Sequence, residues 1–165
     1  MIVVLMGVSG SGKTVVGQAL AAELGWPFFD GDDFHPPANV AKMAAGTPLD
    51  DADRWPWLDR LASEMAAVNA KGGNAVLACS ALRQAYRDRL CRAGAVRFVH
   101  LEGDSETIAA RLAARSHRYM PPTLLESQFA TLEAPADAIV VDVRDPVPTQ
   151  VARIRAALKR NREIV

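Results

Sequence analysis

The chain has 165 residues, half of them hydrophobic, which is enough for one ordinary core and too few for two domains. Lysine plus arginine equals aspartate plus glutamate at 19 each, so no net field draws the protein to nucleic acid or to an anionic membrane. Cys79 and Cys91 form no CxxC pair, and the apolar start MIVVLM is far short of the ~20 residues that cross a bilayer, so free thiols and a cytoplasmic, reducing location are expected.

MIVVLM reads as a buried strand that runs directly into Gly7 to Thr14, GVSGSGKT. This is a full match to GxxxxGK followed by Ser or Thr, placed between a predicted strand and a predicted helix, TVVGQALAAELG, as the motif requires. Glycines let the loop turn so that backbone N–H groups of Gly7, Val8, Ser9, Gly10, Ser11 and Gly12 face a phosphate, and the helix starting near Lys13 adds its positive end. Lys13 is then expected to reach the β- and γ-phosphates of ATP, and Thr14 to place its hydroxyl on Mg²⁺. The helix ends at Gly25, and Pro27 helps restart the chain as a second strand ending at Phe29.

The stretch Phe28 to Pro37, FFDGDDFHPP, crowds three carboxylates around one glycine. Ligands of a parallel sheet bind at the carboxyl ends of its strands, so Asp30 and Asp32 should emerge beside the phosphate loop, where Lys13 and Mg²⁺ supply the missing positive charge. Asp30 is assigned to the metal's water shell. Asp32 is assigned as the base that orients an acceptor hydroxyl and takes its proton. Asp33 is left to solvent.

Beyond this turn come DADRWPWLDRLASEMAAVNA as a helix, NAVLAC as a strand, ALRQAYRDRLCRAG as a helix and RFVHLE as a strand. SETIAARLAARS, AIVVDV and PTQVARIRAALKR complete the alternation as helix, strand and helix. Five continuous apolar runs imply strands buried on both faces, hence an α/β fold with a parallel sheet between helices. The whole chain, 1–165, reads as one kinase domain with two excursions over the catalytic edge, at about 35–53 and about 116–135. No NKxD sequence is present to read guanine, and in a chain this short the phosphate loop favours a small-molecule or nucleotide kinase.

The run DGDDFHPPANVAKMAAGTPLDDADRWPWL, with CSALRQAYRDRL and MPPTLLESQFATLEAP, closely resembles the gluconokinase family of P-loop carbohydrate kinases. The resemblance implies a three-layer P-loop fold, nucleotide-kinase-like, with a five-stranded parallel sheet and a helical lid. It also implies transfer from ATP, with Mg²⁺, to the 6-hydroxyl of D-gluconate, and a homodimer, since related gluconokinases are often dimers. Such a substrate needs cations for its carboxylate and hydrogen bonds for its hydroxyls. Arg54, Arg83 and Arg87 are the candidates for the first task and His35 for the second. Arg111 and Arg115, four apart on one helix, match the lid arginines of nucleotide kinases that neutralise charge during transfer. The lid departs from the family pattern: Ser116-His117-Arg118-Tyr119-Met120 stands where many relatives carry Gly-His-aromatic. Trp55, Trp57, Phe129 and Leu132 read as packing, His100 as a core histidine, and the Asp142 to Pro146 turn as the backbone cradle of adenine. The rival readings are a kinase for another acid or polyol, such as shikimate, and an ATP-binding module without turnover.

Overall fold

The computed structural model describes residues 1–114 and 122–160, so Arg115, His117 and Arg118 lie outside the described residues. Five strands form one sheet in the order β2, β3, β1, β4, β5: β1 (Ile2–Met6), β2 (Phe28–Asp30), β3 (Ala75–Ala78), β4 (Val96–Glu102) and β5 (Ile139–Asp142). Every pairing is parallel, and Val4 of β1 faces Leu77 on one side and Phe98 on the other. All five strands therefore release their loops at the same edge.

Alternation along β1 sends its side chains to two cores, as a strand buried on both faces must. Val3 and Leu5 pack with Val16 and Leu20 of α1 (Lys13–Leu24) and with Val151 and Ile154 of α7 (Val147–Arg160). Ile2, Val4 and Met6 pack with Leu58, Leu61 and Met65 of α3 (Asp51–Ala70) and with Tyr86 and Leu90 of α4 (Gln84–Leu90). The three layers follow. Shorter helices complete the catalytic edge: α2 (Pro37–Ala44), α5 (Ser105–Ala113) and α6 (Pro122–Thr131).

Helix limits follow local chemistry. Gly25 caps α1 in the left-handed conformation at φ 66°. Asp50 and Asp53 cap α3 reciprocally, each carboxylate accepting from the other's backbone N–H at 2.8 and 3.0 Å. Two differences from the sequence reading stand out. Strand β2 extends one residue further, through Asp30. The 35–53 excursion contains a helix, α2, with Pro37 in its first turn, where proline's missing N–H costs nothing. Among the described residues no helix is long and apolar enough to cross a membrane.

Candidate active site

The phosphate loop joins β1 to α1. Gly12 takes φ 96°, a left-handed conformation, and turns the chain into the first residue of α1, Lys13. Lys13 Nζ donates to the carbonyls of Gly7 and Val8 at 3.1 and 3.0 Å, curling over the loop. Ser11 Oγ is buried with no hydrogen-bond partner among the described residues, an orphan that fits a loop shaped for an anion. Ser11 and Gly12 also border an open cavity of about 290 Å³, lined as well by Arg111 and by the turn at 144–147. Arg111 donates to the carbonyl of Val143 at the end of β5. Arg144 pairs with Asp142 at 2.6 Å, which holds that carboxyl down at about 2.

Thr14 and the acidic turn meet. Thr14 Oγ1 donates to Asp30 Oδ2 at 2.9 Å, while Asp30 Oδ1 accepts from the backbone N–H of Asp32 at 3.1 Å and so starts the short 3-10 turn Gly31–Phe34. The two assignments made for the aspartates are thereby separated in space: Asp30 faces the loop, and Asp32 is exposed. Asp33 is exposed as well. Cys79, at the end of β3, is raised to about 12 by burial; Lys13 opposes that rise, and Asp32 and Asp30 add to it. All three charges therefore act on the same sheet edge.

The turn is held from beneath by Trp57, whose Nε1 donates to the carbonyl of Gly31 at 2.8 Å. His35 stacks on the same indole, with ring centroids 4.1 Å apart and planes 17° apart. Burial lowers the His35 pKa, so the ring is neutral near pH 7. Its tautomer follows from Asn39, whose Nδ2 donates to the Asp53 carbonyl at 2.9 Å and lies 3.3 Å from His35 Nδ1. An amide nitrogen only donates, so Nδ1 accepts and the proton sits on Nε2, 3.9 Å from Asp32.

The arginines divide. Arg83 donates to Asp51 Oδ2 at 3.1 Å, Tyr86 donates its hydroxyl to Asp51 Oδ1, and Arg54 donates to the Tyr86 oxygen at 2.9 Å. Arg54 and Arg83 thus share one cluster built around a carboxylate and a phenol. Arg87 does not join it: buried, it donates to the carbonyls of Ala81 and Leu82 at 2.9 and 3.3 Å and to Gln84 Oε1. It stabilises the loop after β3, where Ala81 sits at a positive φ of 45°, a conformation that costs a non-glycine residue on the order of 1 kcal/mol.

Four residues of this edge were not singled out by sequence reasoning: Asn39, Asp51, Tyr86 and Gln128. Gln128 of α6 places Oε1 2.6 Å from the backbone nitrogen of Ser9, a group of the phosphate loop. Five residues on, Glu133 accepts from the backbone N–H of Gln84 at 2.6 Å and donates its own N–H to Leu82 at 2.8 Å. One segment therefore ties the phosphate loop to the loop that carries Arg83.

Among known families, the AAA domain matches residues 2–139. A protein of Xenopus tropicalis described as a probable gluconokinase is 45% identical, over 100% of this chain and 97% of its own length. The crystal structure of a gluconokinase from Sinorhizobium meliloti 1021 superposes with a TM-score of 0.89 at 42% identity, covering 98% of this chain and 93% of that one. A shikimate kinase from Aquifex aeolicus covers 98% of each chain with a TM-score of 0.60, but at 18% identity it shares the fold alone.

Proposed function

The chain belongs to the gluconokinase family and is an enzyme that phosphorylates gluconate; we propose that the residues above carry ATP-dependent transfer to the 6-hydroxyl, giving 6-phospho-D-gluconate and ADP. The observation that carries this reading is the Thr14–Asp30 contact, because it joins the phosphate loop to the turn that presents Asp32. The loop amides, apart from that of Ser9, which donates to Gln128 and not to a phosphate as expected, hold the phosphates of ATP with Lys13, and the adenine takes the cavity between Gly12, Arg111 and the turn at 144–147. Thr14 and, through water, Asp30 are the residues that would hold Mg²⁺. That hard oxygen-donor pair suits it, and the bound ion would neutralise charge on the β- and γ-phosphates.

Asp32 accepts the proton of the 6-hydroxyl as its oxygen bonds to the γ-phosphorus and the bond from phosphorus to the bridging oxygen of ADP breaks. His35, neutral and protonated on Nε2, keeps a donor turned toward Asp32 and orients it or the hydroxyl beside it. Arg54 and Arg83 take the gluconate carboxylate, with Arg87 shaping the loop from below. Arg111 borders the nucleotide cavity, where its charge counters the phosphates. A coupled ADP-release assay over gluconate, shikimate and glucose tests the reading. Gluconate is expected to be the best acceptor by at least tenfold in kcat/KM, and equal or faster turnover of shikimate would overturn it.

A further inference from the structure

We propose that Gln128 is a catalytic residue that contacts the γ-phosphoryl group of bound ATP, with the two ends of its carboxamide divided between protein and substrate. This rests on the reading of Gly7 to Thr14 as the ATP phosphate loop. Gln128 lies 119 positions from Ser9 in sequence, yet its Oε1 accepts from the Ser9 backbone N–H at 2.6 Å. Ser9 is the third residue of the eight-residue loop, before the turn at Gly12 that leads into α1. An acceptor seated on that amide stands on the rim of the cradle.

The oxygen being spent on Ser9, the amide orientation is fixed, and the Nε2 end carries two N–H donors with no protein partner among the described residues. The side chain is only half-buried, so those donors are not sealed inside the protein. A neutral donor is suited to a phosphoryl group in flight, since it steadies charge spread over the equatorial oxygens without trapping the product as a further cation would. The helix that carries it is well anchored. Leu125 is buried in the core under the loop, and Glu133, just beyond α6, caps α4 and bonds to Leu82. Gln128 thus lies between two anchors, Leu125 and Glu133, and placing a donor for chemistry depends on such support.

The test compares nucleotides as well as rates. In Gln128→Leu, kcat should fall by ~10²-fold, as on removing one transition-state donor. ADP should bind within about twofold of wild type by calorimetry, whereas a non-hydrolysable ATP analogue should weaken by roughly tenfold, the size expected of one lost ligand hydrogen bond. Gln128→Glu keeps an acceptor for Ser9 and loses the donor, so it should not restore kcat. If Gln128→Glu turns over like wild type, or if Gln128→Leu weakens ADP and the analogue equally, the residue only braces the loop and the proposal fails. Should wild type bind neither nucleotide, the phosphate-loop reading itself falls, and this inference with it.

Discussion

Asp32→Asn keeps the size and hydrogen-bonding reach of the side chain and removes its proton affinity. Turnover of gluconate should drop by ~10²-fold, while ADP binding by calorimetry stays unchanged. Full activity would return the acidic turn to solvent duty. Arg83 calls for a smaller effect than a buried arginine would, because its side chain is 43% exposed and already paired with Asp51. Arg83→Ala should raise KM for gluconate by up to about fivefold with ATP unaffected, since exposed charge pairs are worth about 1 kcal/mol or less. Equal losses for gluconate and glucose would assign Arg83 to the fold. At this scale the sequence was legible where chemistry is contiguous: the loop at 7–14 and the turn at 30–35 each carry their groups within a few residues. It was silent on Asp51, Tyr86 and Gln128, whose partners lie 32 to 119 positions away and meet only when α3, α4 and α6 pack.

The start of α3 could be read from DDADR because both halves of its cap lie within four residues, whereas α2 was hidden by two prolines that look like loop and in fact open a helix. The buried turn of α4 misled in a different way. Arg83 and Arg87 share helical spacing, but one guanidinium points to Asp51 and the other into the backbone beneath it, a difference decided by packing and not by period. Element packing also sets the position of the catalytic turn. Gly31 lies so close to β3 that an added Cβ would sit 2.6 Å from the Ala78 carbonyl, with no flexible atom to yield. Gly31→Ala should therefore destabilise by on the order of 1–3 kcal/mol and lower kcat by displacing Asp30 and Asp32 together. Urea denaturation and the ADP-release assay report the two effects; a variant unchanged in both would show that β2 can slide away from β3.

Across the whole molecule, stability is tied to pH through two buried rings. Burial pulls both His35 and His100 below 6.5, against the opposing fields of Asp32 and Glu102 and with help from Arg54 and Arg87. Between the lowered folded values and 6.5 the unfolded chain binds protons that the folded chain refuses, so stability is complete above 6.5 and declines as pH falls through that window. Urea midpoints should drop from pH 7.5 to 5.5, and less steeply in His100→Gln; a flat profile would mean that neither ring resists protonation. The parallel sheet and both cores follow from continuous apolar runs, and this is why the architecture was the most legible part of the chain. The cluster around Asp51 has a consequence for the solution behaviour of the enzyme. A sugar acid arriving at Arg83 does not meet a bare cation; it trades places with a carboxylate the protein already owns, as in an ion-exchange resin. Such an exchange leaves the number of ion pairs unchanged, so added electrolyte weakens the bond lost about as much as the bond gained. At saturating ATP, KM for gluconate should accordingly stay nearly level as ionic strength rises, whereas in Asp51→Asn, where nothing is displaced, it should start lower and climb with salt.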